Sequence, residues 1–510
     1  MVFCSVLSRN GEGDRKECPQ APEFFPDLNL DQIVDSITAG KDEYNLKPFF
    51  YSPQKDADEI LSRQEVMQDL ENAAVKDTIE SFAADMRTMR QHLALADKLY
   101  YKFQKERWFL DAVDAYCAAV QSLARNLDRA LVRSRGLQAF CDYLDGYIAS
   151  ERFSSLLGQT RKLQEDLASI HYSTRVSGSR VRVQKYDSES DYSAEVEQTF
   201  DKFKQGAVKN YLLTFRTYTQ MNHVEAQVLD LVARLYPEVF EDLDGFRTRN
   251  AEYLDETIAA FDREVQFYIS YLDYIALLQR AGLKFCYPRV SSAAKEIHDF
   301  DGFDLALARK LAIEGSAVVC NDFFLTGNER IIVVSGPNQG GKTTFSRAFG
   351  QMHYLASLGC PVPGRDAQLF LFDKLFTHFE KEENIKNLRG KLEDDLVRIH
   401  RILAESTPNS IVIMNEIFNS TTLKDAIFLG KKVMEKVISL DLICVCVTFI
   451  DELSSMSEKT VSMVSTVDQA DTSKRTFKVV RRAADGLAYA ISIAEKYRLT
   501  YDFLKERIPS

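Results

Sequence analysis

From Gly336 the sequence reads Gly336-Pro337-Asn338-Gln339-Gly340-Gly341-Lys342-Thr343: a glycine, four residues, then glycine, lysine and threonine. That spacing suits the wrapping of backbone N–H groups around phosphate oxygens. The glycines let the chain turn inward, and the N-terminus of the helix that follows brings its positive dipole end to the anion. Lys342 is then placed to reach the terminal phosphates and Thr343 to offer its hydroxyl to Mg²⁺. The surroundings agree: the apolar run Ile331 to Ser335 precedes the loop and a helical pattern from Thr344 to Leu358 follows it. A second apolar run, Ser410 to Met414, ends in Asn415-Glu416. An acid after such a strand stands beside the γ-phosphate, where Glu416 can orient or deprotonate the attacking water. Asn415 accepts a hydrogen bond but brings no charge, which weakens a Mg²⁺ site without abolishing it. The expected ligands are ATP and Mg²⁺.

Two kinds of element must hold these residues. No proline occurs between Pro53 and Pro237, which permits long helices. Apolar residues then recur at three- and four-residue steps: Ile79, Phe82, Met86, Met89 and Leu93; Val113, Tyr116, Val120, Leu123, Leu127 and Ala130; Leu254, Ile258, Phe261, Val265, Tyr268, Leu272 and Ile275. Each set lies on one stripe of a helix. Residues 25–287 are therefore expected to form a helical core or lever domain, preceded by a flexible tail over 1–24. After about Tyr287, short β-branched runs alternate with helical segments, the pattern of an α/β domain with a largely parallel sheet over 288–510.

One island breaks the helical stretch. Between His171 and Gln184, Val176, Val181 and Val183 alternate with Arg175, Arg180 and Arg182 around Ser177-Gly178-Ser179, which predicts a hairpin. Its arginines either meet phosphates or form a solvated face.

The 510 residues, 45% hydrophobic and 27% charged, point to a globular chain of several domains. No apolar run approaches a membrane span and the N-terminal stretch lacks an apolar signal core, so a cytoplasmic protein without membrane contact is expected. The nine scattered cysteines fit reduced thiols. A net charge of −11 argues against a generally basic nucleic-acid binder but leaves room for a local basic patch.

The loop Gly-Pro-Asn-Gln-Gly-Gly-Lys-Thr-Thr resembles that of the MutS ATPases, within the ABC class. Further segments agree in order: Val319 to Phe323, with Asn321 near the adenine in that family; Leu358 to Pro363; Phe372 to Thr377; Ile413 to Ile417; and Asn419 to Ala426. Leu61 to Val66 is similar to the segment opening the MutS helical core. The likeness covers about 35–505 and is nearest to short bacterial MutS-related proteins without a mismatch-reading domain. It implies an α-helical core (lever) domain followed by an α/β P-loop (ABC-type) ATPase domain.

The same resemblance implies a dimer, of identical chains or of paralogues, in which each loop faces the partner's signature segment. Gly390 and Lys391 stand at that segment in place of the usual Ser-Thr, Lys391 being either a contact to the facing γ-phosphate or a surface lysine. Asn415 replaces the usual aspartate, and Phe449 stands where the family has a histidine. The expected activity is a slow, DNA-binding ATPase of repair or recombination, acting on duplex or branched DNA through movement of helical arms. The alternative is a nucleotide-gated protein-interaction switch that does not act on DNA.

Overall fold

The computed structural model describes residues 3, 5–8, 17–178, 180–188, 196, 221–380, 390–468, 474–484, 503 and 505. The chain divides into two compact units. One comprises residues 1–3, 73–132 and 138–262; the other comprises 4–72, 133–137 and 263–510.

In the first unit the helices Ala73–Lys98 and Lys102–Asn126 pack side by side. Ile79, Phe82, Met86 and Met89 of one and Val113, Tyr116, Val120 and Leu123 of the other are buried. Apolar residues at that spacing leave water together, each contributing roughly 1.5–3 kcal/mol when fully buried. The second stripe stops at Leu127, where the helix ends, and Ala130 is exposed. Tyr172–Ser177 and Arg180–Lys185 form an antiparallel hairpin in this unit, turning at Gly178 with φ 62°.

The second unit holds two larger sheets. Its six-stranded sheet runs in the order Leu375–His378, Ile411–Asn415, Ile443–Val447, Ile331–Ser335, Thr460–Val467 and Arg475–Arg481. The first five are parallel and the last is antiparallel to its neighbour. Every residue of Ile411–Asn415, Ile443–Val447 and Ile331–Ser335, three of the four inner strands, is buried, the signature of a sheet covered on both faces. A four-stranded mixed sheet is formed by Arg289–Ser291, Asp366–Phe370, Ile297–Gly302 and Asn321–Leu325.

The division corrects the expected boundaries. Residues 25–72 and 263–287 belong with the sheets and not with the helical unit. Periodicity shows that a segment is helical, not which core receives its stripe. The helix Ala57–Leu70 illustrates why: Arg63 is 5% exposed, its Nε donating to Leu7 O at 2.9 Å and its Nη1 to Leu358 O at 3.2 Å. Described positions of the expected tail are seated too. Val6 and Leu7 are buried, and Val6 O accepts from the Tyr268 hydroxyl at 2.6 Å. Within the expected α/β domain, residues 485–502 lie outside the described residues.

Candidate nucleotide site

The loop leaves the buried strand Ile331–Ser335 through Gly336, whose φ of 116° favours glycine. A Cβ there would also meet Ser465 O at 2.8 Å. Ser465 fastens the other side of the loop, its hydroxyl donating to Gly340 O at 2.6 Å. Gly341, with φ 92°, caps the helix Lys342–Ser357. The neighbouring strand Thr460–Val467 thus clamps the turn that presents the helix N-terminus.

Lys342 is only 4% exposed, and its ammonium is well supplied with acceptors. Nζ donates to Gly336 O at 3.0 Å, Pro337 O at 3.2 Å and Asn338 Oδ1 at 3.3 Å, and lies 3.8 Å from Glu416 Oε1. Burial pulls its pKa below the usual lysine value, Glu416 opposes that, and Arg475 adds to it. Thr343 Oγ1 donates to Asn415 Oδ1 at 2.9 Å. Glu416 follows that buried strand end with φ 54°, in the left-handed region, and its N–H donates to Val447 O at 2.9 Å. Non-glycine residues rarely hold that conformation unless the surrounding structure imposes it.

A cavity of about 450 Å³ opens over the loop. Gln339, Gly340, Gly341, Lys342, Thr343, Thr344 and Glu416 line one part, while Leu307, Leu311, Val319 and Phe477 supply apolar wall. Gly336, Pro337 and Asn338 are not in its lining; they lie behind it as acceptors for Lys342. Asn321 also lines the cavity, with Oδ1 accepting from Val479 N–H at 2.8 Å and Nδ2 donating to Phe477 O at 3.3 Å. Asn321 therefore ties down the strand that carries Phe477.

Phe477 itself was not foreseen. It is half-exposed, with φ 58°, and the strand Arg475–Arg481 brings it to the cavity. From the same strand, Arg475 Nε donates to Asn338 O at 3.2 Å. A short apolar alternation within Arg475 to Arg481 was the available signal.

The cavity suits a nucleoside triphosphate: glycine backbone and one buried cation at one part, apolar wall for a base elsewhere. Thr343 and Asn415 offer oxygens for Mg²⁺. Among the described residues no group of three His, Cys, Asp or Glu could hold a metal ion.

Other expected site residues lie elsewhere. Gly390 caps the helix Lys391–Glu405, and Lys391 pairs with Glu380, which also accepts from Asn419 Nδ2 at 3.1 Å. Neither lines the cavity. Arg175, Arg180 and Arg182 belong to the other unit. Arg175 is directly opposite Arg182, and Arg180 is opposite Ser177, so strand alternation puts all three on one face. They make no ion pair among the described residues.

A buried ammonium held by loop carbonyls, beside a cavity with apolar walls, is the arrangement of a P-loop nucleotide-binding protein. Kinship narrows the class. Residues 332–506 match MutS domain V. The chain is 29% identical over 216 residues to the DNA mismatch repair protein MutS of Orientia tsutsugamushi, covering 41% of this chain and 24% of that protein. It is 28% identical over 206 residues to the Endonuclease MutS2 of Gemmatimonas aurantiaca, covering 39% and 25%. This C-terminal region is thus of the MutS domain V family. The chain spans about a quarter of the length of these relatives. No helix among the described residues is long and apolar enough to cross a membrane.

Proposed function

We propose that this protein is a MutS-type ATPase that works as a dimer on DNA, in mismatch repair or a related process, its helical unit responding to the nucleotide state. The observation that carries this reading is the convergence of Lys342, Thr343 and Glu416 on one cavity, with Asn415 accepting from the Thr343 hydroxyl behind it. Lys342 exchanges its loop carbonyls for phosphate oxygens. Glu416 receives a proton from water as the water oxygen bonds the γ-phosphorus and the bond to the β–γ bridging oxygen breaks. The Thr343 hydroxyl and Asn415 would hold Mg²⁺, which would supply charge neutralisation at the phosphates. The facing subunit completes the site when the dimer closes, with Lys391 leaving Glu380 for the γ-phosphate.

On the hairpin, Arg175, Arg180 and Arg182 form the phosphate-contacting face. A second reading, a nucleotide-gated protein-interaction switch, draws support from the opposite face, where Val176 is 70% exposed and Tyr172 and Val181 are exposed as well.

Two measurements test these readings. Mg-ATP turnover by the purified chain, lost in Glu416→Gln, is the expected result; no turnover above a blank overturns the ATPase. Filter binding to duplex, branched and mismatched DNA over a salt series is expected to show salt-dependent retention of at least one of them. Absence of retention for all of them moves the conclusion to the protein-interaction switch.

A further inference from the structure

A second hollow, of about 270 Å³, opens in the sheet-bearing unit and shares no residue with the nucleotide cavity. The helix Leu30–Thr38 with the turn after it, the later turns of Glu256–Arg280, and the helix Leu305–Ile313 form its walls. The last of these helices serves both cavities. Leu307 and Leu311 line the nucleotide cavity, whereas Arg309, two residues from each and so about 200° around the axis, lines the hollow.

Hydrogen-bond donors dominate this lining. Tyr274 is 8% exposed, and its O–H finds no acceptor among the described residues. The Arg309 guanidinium lies 4.9 Å from the Tyr274 ring centroid. Burial pushes the phenol pKa up, and nearby Arg309 pulls it partly back. Arginine has donors only, so whatever its approach it cannot accept the tyrosine's O–H hydrogen. A buried donor left without an acceptor is costly, and a ligand oxygen removes that cost. Arg309 has no carboxylate partner among the described residues. Lys41 adds a second cation, its Nζ donating to Gln266 Oε1 at 3.2 Å.

We propose that this hollow binds a small organic carboxylate carrying one negative charge. One carboxylate oxygen accepts from Tyr274 and the other from Arg309, the planar fork that suits this pairing. Lys41 raises the local positive potential. Asp273, exposed on the rim, limits the ligand's charge, because two cations against one carboxylate favour a monoanion over a dianion. The site stands independently of the nucleotide reading.

NMR titration of the full chain at pH 7.5 with sodium glycolate, and with inorganic phosphate at equal ionic strength, tests the proposal. Saturable glycolate binding is expected, at least tenfold weaker in Tyr274→Phe and in Arg309→Gln, with phosphate weaker than glycolate. Shifts no larger than those with sodium chloride overturn the site, as does equal glycolate binding in both variants. Phosphate binding tighter than glycolate overturns the monoanion assignment. Tyr274→Phe keeps the ring beneath Arg309 and removes only the hydroxyl. It decides the matter alone if Arg309→Gln loses the native circular dichroism.

Discussion

Lys342 and the arginines of the hairpin carry the same charge under opposite conditions. Lys342 is almost wholly buried and has three oxygen acceptors and a carboxylate at hand. Arg175 and Arg182 face one another across two strands in the open, without an acidic partner among the described residues. The energies explain both. An unpaired buried ammonium costs several kcal/mol, so a fold that buries one must supply its partners in advance. Two like charges apposed in water cost only about 0.2–1 kcal/mol, which a hairpin tolerates. The loop thus supplies the partners of its buried cation in advance, whereas the arginine face keeps its charges in solvent.

Glu416→Gln attacks the loop site most directly. The amide fills the same space but takes no proton, so turnover should fall a hundredfold to ten-thousandfold, roughly the range for a lost general base. Affinity for a fluorescent ATP analogue should stay within about threefold. Turnover unchanged in this variant, measured by phosphate release, breaks the claim that the loop site is catalytic. Lys342→Ala should instead lower nucleotide affinity by about tenfold to a hundredfold, since a charge-assisted hydrogen bond is worth roughly 1.5–3 kcal/mol. Binding that survives this change places the nucleotide somewhere other than the loop.

Asp299 is the exception within the sheet-bearing unit and sharpens the contrast. It sits in the strand Ile297–Gly302 with 0% exposure, and neither carboxylate oxygen has a hydrogen-bond partner among the described residues. Burial first, then Asp322, Asp301 and Asp366, push its pKa up from 3.8 to about 8. The folded chain therefore holds this proton more tightly than the unfolded one. The stability it confers is fully present below about pH 4 and is lost as pH rises through about 8. Asp299→Asn should raise stability at pH 8.5 by on the order of a few kcal/mol and change little at pH 4. Urea denaturation at both values reads this directly. Equal effects at the two pH values mean that Asp299 is not titrating in this window.

Much of the nucleotide site was legible because its parts are local. Eight consecutive residues make the loop, and Asn415-Glu416 closes an apolar run that any strand reading isolates. The buried stripes were legible for the same reason, each being a periodicity within one helix. What escaped depends on pairing between distant segments. Phe477 and Arg475 reach the cavity because Arg475–Arg481 pairs with Thr460–Val467, with a register shift between Ser465 and Val467. No local pattern announces that shift. Arg63 escaped too, because a charged residue on a helix is ordinarily solvated, and it takes the Leu7 and Leu358 carbonyls together with the Phe267 ring to make its burial affordable. The assignment of the helix Ala57–Leu70 to the sheet-bearing unit follows from such contacts and not from its own periodicity.

The smallest expected effect concerns the arginine face. Changing Arg175, Arg180 and Arg182 together to glutamine removes three positive charges from one side of an exposed hairpin. Folding should be nearly unaffected, because the like-charge apposition of Arg175 and Arg182 disappears while the strand pairing that forms the hairpin does not depend on the guanidinium groups. If these arginines meet a nucleic-acid backbone, each contact releases a counterion, and the slope of log affinity against log salt should become shallower by about three. At low salt that amounts to a loss of about tenfold or more, shrinking as salt rises. Filter binding of duplex DNA at several salt concentrations separates this from a structural effect, which would weaken binding without altering the slope. An unchanged slope means the arginines form a solvated face, and the hairpin's recognition surface is then the side that carries Val176 and Val181.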